Sequence, residues 1–352
     1  MSLSASFAAQ RDSFSLDFAI DVARGETVAV VGPSASGKTT ALRCLAGLLR
    51  PRAGAIRFGD EVWYDEPSRT FVPAQQRNAS MVFAKGALFG HMTVQENAEF
   101  GLQAAGVSTS LTEARASEVL HVVNADHLAT RRASTLSAGE VQRVALARAI
   151  ALKPSVLLLD EPLSALDIRL RPLVRQALRN AIAATDAATV FVTHDPAEAM
   201  LFAQRFVVVE DGVVAQSGGL AELRNRPATP YIASFAGTNL YRGQAHSLGD
   251  GSSTVDIGGA RLVIQGDYEG EISVLLDPDA VTLSAATQET SARNLLRGPV
   301  EAIVPDRGAF RVTIASVPPI SARVTARSLE TLGVHTGQSL YAGFKAMEAH
   351  IL

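Results

Sequence analysis

The 352-residue chain has one cysteine, no long apolar run, no marked excess of either charge and no low-complexity tract. Each shortage closes off a class of protein. Cys44 has no second cysteine to meet, which excludes an intramolecular disulfide and a cysteine-based zinc site. In the apolar run Ala41-Leu42-Arg43-Cys44-Leu45 it reads as a buried thiol. No stretch approaches the ~18 apolar residues of a membrane-spanning helix, and the longest runs, 156–159 and 206–209, are strand-sized. The opening Met1-Ser2-Leu3-Ser4-Ala5-Ser6-Phe7 lacks the basic start and apolar core of a secretory signal. The expectation is therefore a cytoplasmic chain, with any membrane role exercised through partners. A net charge of −3 and scattered basic residues give no field for nucleic acid, so none is expected as a partner. No internal repeat is visible along the chain.

What is present is ordinary globular material. Hydrophobic residues at 47% against 19% charged leave no segment that must be disordered, and the length suits two or three domains. From about residue 14 to 226, short apolar runs alternate with helical patterns. The runs 27–31, 155–159 and 188–192 read as buried parallel strands, each followed by a helix, the signature of an α/β layer fold. A long insert, roughly 86–150, has helical periodicity, with helices expected over 94–104, 111–124 and 138–152. A turn-rich linker, Arg224-Asn225-Arg226-Pro227-Ala228-Thr229-Pro230, closes this part. Beyond it the pattern becomes short alternating strands at 253–257, 261–265, 271–276 and 310–314, which implies one or two small β-barrels. The expected domains are 1–230 and 238–352, the second divisible into 238–289 and 290–352.

Gly32-Pro33-Ser34-Ala35-Ser36-Gly37-Lys38-Thr39 matches the phosphate-loop pattern G-x-x-x-x-G-K-[ST], between an expected strand and an expected helix. Glycines let the backbone curve into a hollow of N–H donors, and the helix N-terminus adds partial positive charge. Lys38 can reach the β- and γ-phosphates of ATP, the Thr39 hydroxyl can ligate Mg²⁺, and Thr40 stands beside them. Downstream, Asp160 and Glu161 end a buried strand. Asp160 suits the metal shell, and Glu161 suits a base for an attacking water. The same pair would also serve as a helix cap and a first-turn acid; the phosphate loop upstream argues for chemistry. His194 follows the strand ending at Val192-Thr193, where its side chain can reach a γ-phosphate; a lone histidine there more often serves the structure, and the neighbouring elements argue for function.

With these residues in place the chain resembles the ATP-binding subunit of an ABC transporter. Leu136-Ser137-Ala138-Gly139-Glu140-Val141-Gln142-Arg143 resembles the family signature, Ser164-Ala165-Leu166-Asp167 its D-loop and His194 its switch histidine. The resemblance covers about residues 14–240. It implies an α/β P-loop NTPase domain with a helical subdomain, working as a homodimer. Two nucleotides are then sandwiched between the phosphate loop of one subunit and Ser137, Gly139 and Asp167 of the other. It also implies transmembrane permease subunits and a separate solute-binding protein as partners, at the cytoplasmic face of the inner membrane. Several positions depart from the pattern. Ala84 replaces a glutamine expected to touch Mg²⁺ or the attacking water, Ala138 replaces a signature glycine, and Glu140 replaces the signature glutamine. Ala9 falls where the family stacks adenine on an aromatic ring, with Phe7 or Phe14 as substitutes.

The run from Thr290 through Ser291-Ala292-Arg293-Asn294-Leu295-Leu296-Arg297-Gly298-Pro299-Val300 resembles the start of a molybdate-binding OB-like module. The resemblance continues through 323–329 and 341–346. It implies an all-β, molybdate-binding-protein-like C-terminal domain in which Ser291, Arg293, Asn294 and Lys345 could hold a tetrahedral oxyanion. Met347 and Glu348 stand where the family has small hydroxyl residues, and a carboxylate opposes an anion. A barrel that only dimerises and docks is the alternative. The leading expectation is the ATPase of an importer for a small solute, an oxyanion such as molybdate. Sulfate, ferric iron and polyamine importers share the domain plan, and a slow-turnover regulatory subunit is the competing class. A soluble ABC protein of translation or DNA repair would carry two fused cassettes or a long coiled-coil insert, and this sequence has neither.

Overall fold

The computed structural model describes residues 1–11, 13–167, 169–287, 291–306 and 308–352. The chain divides into two compact units, Met1–Leu220 and Ala221–Leu352, so the division falls just ahead of the expected 224–230 linker.

In the first unit, β1 (Ser2–Arg11) and β2 (Phe14–Ala23) form an antiparallel hairpin with alternating exposure. Leu3, Phe7, Leu16 and Phe18 all face one core, as a half-buried sheet requires. β3 (Thr27–Val31) is buried at every position, as a parallel strand covered on both faces must be, and leads through the phosphate loop into α1 (Lys38–Leu45). An antiparallel flap follows, made of β4 (Ala53–Phe58), β5 (Glu61–Asp65) and β6 (Thr70–Phe71), before the chain re-enters the centre as β7 (Ala79–Val82). Helices α2 (Val94–Ala104), α3 (Thr109–Val122) and α4 (Ala138–Ala151) then pack on one another. The unit closes with β8 (Val156–Asp160), α5 (Arg171–Ala183), β9 (Ala188–Val192), α6 (Pro196–Phe202), β10 (Arg205–Glu210) and β11 (Val213–Gly218). The strands join in the order β6-β5-β4-β1-β2-β11-β10-β3-β9-β8-β7. The three expected buried strands and three expected helices are present to within about two residues, apart from the helical insert, which starts at Val94 rather than 86. The antiparallel half of the sheet was not anticipated.

Arg77 connects that half to the C-terminal end of α1, the helix that follows the phosphate loop. Its guanidinium is 5% exposed and donates to Cys44 O, Leu45 O, Val72 O and Trp63 O, at 2.9, 2.7, 2.8 and 3.4 Å. It lies over the Trp63 and Phe71 rings at 5.4 and 5.7 Å. Two of the acceptors are carbonyls at the C-terminal end of α1, which its own helix cannot satisfy. Burial lowers the Arg77 pKa to about 10, so it stays charged at neutral pH. Cys44 is fully buried as expected, and burial pushes its pKa up to about 12.

The second unit opens with α7 (Leu220–Asn225) and α8 (Pro230–Ala236). Its first run of strands is β12 (Asn239–Ser247), β13 (Ser252–Asp256), β14 (Arg261–Gln265), β15 (Gly270–Leu276) and β16 (Thr282–Ser284), with a 3₁₀ turn Pro278–Ala280 between the last two. The second run is β17 (Asn294–Asp306), β18 (Ala309–Ile314), β19 (Ile320–Val324), β20 (Ser339–Phe344) and β21 (Ala349–Ile351). It adds helix α9 (Ala326–Leu332) before β20 and a 3₁₀ turn Ala346–Glu348 after it. The two runs repeat the same pairing: first strand with second and fourth, second with third. Each lends its last strand to the other, so β16 joins β20 and β21 joins β15.

This is an internal structural repeat that is not obvious along the sequence. Its sequence trace is short: Asn239-Leu240-Tyr241-Arg242-Gly243 opens β12 and Asn294-Leu295-Leu296-Arg297-Gly298 opens β17. The two copies are not separate barrels, because Val255, Leu262, Val274, Val312, Ile320 and Phe344 share one core. The repeated asparagines stitch the copies together. Asn239 donates to Ser321 O and accepts from Ser321 N, at 3.0 and 2.8 Å. Asn294 does the same with Val263, donating at 2.8 Å to its carbonyl and accepting at 2.6 Å from its N–H.

Arg77→Met should lower the stability of the first unit by about 2–4 kcal/mol, because buried carbonyls lose a charged donor. Urea unfolding should show a lower midpoint at unchanged slope; an unchanged midpoint would mean that the guanidinium does not hold the flap to α1.

Candidate functional site: a phosphate loop at the strand ends

Strands β3, β9 and β8 lie side by side and run parallel, so the loops leaving their C-terminal ends converge, where open α/β sheets hold ligands. The phosphate loop leaves β3. Gly32 has φ +154°, and a Cβ there would lie 2.0 Å from Val209 O; Gly37 has φ +105°, and a Cβ there would lie 2.9 Å from the Leu16 side chain. Neither position tolerates a side chain, which accounts for both glycines of the pattern. Lys38 is 7% exposed, and its ammonium donates to Gly32 O at 2.9 Å, Pro33 O at 2.6 Å and Ser36 Oγ at 3.4 Å. Burial lowers its pKa, and the carboxylates of Glu161 and Asp160 act in the opposite sense.

Thr39 Oγ1 donates to Asp160 Oδ1 at 3.0 Å, so the hydroxyl and the carboxylate sit together despite the long sequence separation. Burial raises the Asp160 pKa, against the Thr39 bond and the charges of Arg43 and Lys38; the neighbouring Glu161 pushes it up further. Glu161 adopts φ +46°, a left-handed conformation that costs a non-glycine residue about 1–3 kcal/mol. Its N–H donates to Val192 O at 3.0 Å, and its carbonyl accepts from Ser164 Oγ at 2.9 Å. These bonds hold the strained residue, and His194 Nδ1 stands 3.3 Å from Glu161 Oε2.

A cavity of about 410 Å³ opens over this loop. Of the expected residues, Ser34, Ala35, Gly37, Lys38, Thr39, Thr40 and Glu161 line it. Gly32, Pro33 and Ser36 shape the loop from behind. Arg11, Ser13 and Phe14, at the β1–β2 turn, complete the wall. Arg11 and Ser13 were not anticipated; the alternating pattern of residues 2–11 and 14–23 was the signal that could have placed a turn there.

Ser137, Gly139 and Asp167 do not line the cavity. Ser137 and Glu140 form a capping box at the start of α4: Ser137 Oγ accepts from Glu140 N at 3.4 Å, and Glu140 Oε2 accepts from Ser137 N at 2.7 Å. These bonds hold the Glu140 carboxyl below its usual pKa, with Arg131 3.1 Å away adding to the effect. A carboxylate at position 140 is thus accounted for by the helix end it caps. Ala138 is exposed, and Gly139 is buried. Asp167 Oδ1 accepts from the N–H groups of Arg169 and Leu170, at 2.9 and 3.2 Å. Ala84 is half-buried and Lys85 exposed, in a segment where Phe83 O accepts from Gln142 Nε2.

In the second unit, Ser291, Arg293 and Lys345 line one cleft with Asp250, Ser252 and Gln265. Asn294 does not join them, because it is 2% exposed and its amide is taken at both ends by Val263. Thr290 lies outside the described residues. Asp250 weakens the cleft for anions. The Ser252 hydroxyl holds its carboxyl below the usual pKa, and the Arg293 charge contributes, so part of the cleft's positive charge is already answered. In the other copy Asp277, which precedes the first 3₁₀ turn, takes the place that Lys345 has before the second. There the corresponding corner is closed by ion pairs: Arg224 with Asp277 at 2.6 Å, Arg311 with Asp306 at 2.7 Å and Arg323 with Asp279 at 2.8 Å.

Residues 16–164 match the ABC transporter family and residues 290–351 the TOBE domain. A Fe(3+) ions import ATP-binding protein of Agrobacterium fabrum is 39% identical over 273 residues, 77% of this chain and 76% of its own. The chain is an import ATP-binding protein of the ABC transporter family. A sulfate/thiosulfate import ATP-binding protein of Thermosynechococcus vestitus is 43% identical over 235 residues, 66% of this chain and 68% of its own. A molybdenum import ATP-binding protein of Mycobacterium tuberculosis is 35% identical over 346 residues, 95% of this chain and 93% of its own. A solved structure titled as the ATP binding subunit of an ABC transporter shares the fold, with TM-score 0.55 and 24% identity over 64% of this chain and 93% of that one.

The chain is thus a transport-coupled ATPase, and a cavity opens over its phosphate loop. Of the two rings expected to substitute for the family's adenine-stacking aromatic, the fold corrects one, Phe7. Ala9 and Phe7 are 1% and 2% exposed and point into the core, where Phe7 packs on Phe18 at 5.6 Å. Phe14 is on the cavity wall. Phe14→Ala should weaken ATP binding roughly tenfold, the worth of about one lost base–aromatic stack, and leave the melting temperature nearly unchanged. Phe7→Ala should do the reverse, costing about 3–5 kcal/mol of stability. Nucleotide titration and thermal melting of both variants separate the two roles.

Proposed function

We propose that this ATPase powers the import of an oxyanion, molybdate first, as a homodimer at the cytoplasmic face of the membrane, coupled to permease subunits and fed by a solute-binding protein. The extent of likeness carries the choice of solute. The likeness to the molybdenum import protein runs through the tail, over 346 residues, whereas those to the iron and sulfate relatives cover 273 and 235. Identity over the whole alignment does not favour molybdate, being 39% and 43% for the iron and sulfate relatives against 35% over the longer match. The cleft of Ser291, Arg293 and Lys345 fits an oxyanion in charge type, with Asp250 opposing. Among the described residues no helix is long and apolar enough to cross a membrane, which is consistent with a peripheral subunit.

In this reading the phosphate loop grips the β- and γ-phosphates through its N–H groups and Lys38. The Thr39 hydroxyl and Asp160 carboxylate, 3.0 Å apart, are the hard oxygen donors that Mg²⁺ prefers beside phosphate oxygens and water. Magnesium bound there would neutralise phosphate charge. Glu161 takes the proton of the attacking water, and His194, in contact with it, orients the γ-phosphate end. Ser137, Gly139 and Asp167 lie away from this cavity, at the N-terminal ends of α4 and α5, and complete the site from the second subunit.

Glu161→Gln should keep ATP affinity and lose about 100-fold or more in turnover, whereas Lys38→Ala should weaken nucleotide binding itself. Phosphate release at the parental rate from Glu161→Gln would remove Glu161 as the base and favour a slow-turnover regulatory subunit. For the solute, the assembled transporter should take up radiolabelled molybdate in an ATP-dependent manner. A tenfold excess of sulfate or ferric iron should compete weakly; uptake of sulfate or iron in preference to molybdate would overturn the choice.

A further inference from the structure

Beside the catalytic pair lies a set of charged groups that the mechanism does not use. Glu198 on α6 is only 4% exposed, and burial raises its pKa. Its Oε2 accepts from the Thr193 hydroxyl at 2.9 Å, and the same Thr193 oxygen accepts from Asp195 N at 3.1 Å. Asp195 caps α6, its Oδ1 accepting from Ala197 N at 2.8 Å and Glu198 N at 3.4 Å. The residues on both sides of His194 are therefore fixed, and their second contacts are with α5. Arg171 NH1 stands 3.8 Å from Asp195 Oδ2, and Arg175 NH2 stands 3.8 Å from Glu198 Oε1. Four residues apart, the two arginines share one face of the helix. Arg171 also donates through Nε to Leu166 O at 3.3 Å, in the turn that Ser164 ties to the Glu161 carbonyl.

These contacts close a ring: from Glu161 through the 164–166 turn to Arg171, across to Asp195, back to His194 and then to Glu161. At 3.8 Å the two arginine pairs are charge attractions rather than hydrogen bonds. Arg175 Nε is buried with no hydrogen-bond partner among the described residues, which is costly for a charged donor.

We propose that Arg171 and Arg175 are positioning residues that hold His194 against Glu161, so that α5 sets the geometry of the hydrolytic pair. The proposal rests on the roles given to Glu161 and His194 above. A histidine that is displaced costs turnover and leaves binding of the nucleotide, which the phosphate loop governs, largely intact.

The test uses the full chain and four variants: Arg171→Ala, Arg171→Lys, Asp195→Asn and the double Arg171→Ala/Asp195→Asn. Asparagine caps a helix about as well as aspartate, so Asp195→Asn removes the charge and keeps the cap. Arg171→Ala and Asp195→Asn should each lower kcat roughly 5- to 20-fold with KM for ATP within about twofold of the parent. The double variant should fall no further than the weaker single, and Arg171→Lys should recover part of the loss. The His194 ring resonance, assigned by its disappearance in His194→Ala, should shift in both single variants while the melting temperature holds. Parental kcat and an unmoved His194 resonance in Arg171→Ala and Asp195→Asn would overturn the proposal, as would additive losses in the double variant. His194→Ala acts as the control: if it hydrolyses ATP normally, the role of His194 itself is wrong and the inference falls with it. If it is inactive while Arg171→Ala and Asp195→Asn are not, only the inference falls.

Discussion

The hydrogen bond from Glu161 N–H to Val192 O is the contact on which the arrangement beside the phosphate loop depends. It ties the end of β8 to the end of β9 just where the chain turns left-handed at Glu161, a conformation the residue would not adopt unaided. With that turn fixed, Asp160 meets Thr39 on one side and Glu161 meets His194 on the other. Three loops from three strands thus converge on one place. The strain is offset by parallel pairing in the centre of the sheet, where every residue of β3, β8 and β9 is buried.

The departures from the family pattern separate into those the fold explains and one it does not. Glu140 completes a capping box with Ser137, a service that glutamate and glutamine both perform at that helix position. The Ala138 methyl is exposed within this chain and forces nothing aside. No aromatic stands at position 9, and Phe14, on the other side of the same hairpin turn, is the ring that reaches the cavity wall. Ala84 stands apart, because no contact among the described residues accounts for it.

The tail follows a different logic. Two copies of one strand pattern interlock by exchanging their last strands, and each presents an asparagine that bonds the backbone of the other. Such amides are spoken for twice over, since a buried asparagine left unpaired would cost more than the bonds return. The copies have diverged where it matters for charge: one corner is closed by three Arg–Asp pairs, and the other keeps Arg293 and Lys345 around an open cleft.

The sequence by itself determined the pattern of the phosphate loop and the central layer of the first unit. The phosphate loop, Asp160, Glu161 and the buried strands and helices around them are local patterns, in which spacing of a few residues carries the physical requirement. The hairpin of residues 2–23 was also written in plain alternation, though its turn gained meaning only when it closed over the loop. What the tertiary structure alone decided is whatever depends on residues far apart in the chain. Asn294 looked like an anion ligand and is a clasp on Val263; Phe7 looked like a stacking ring and is core. The tail's duplication left only a five-residue trace, because a β-strand is specified by burial on one face and tolerates many sequences. Strand exchange and side-chain-to-backbone clasps have no period or motif to read, so they become visible only when the chain is folded.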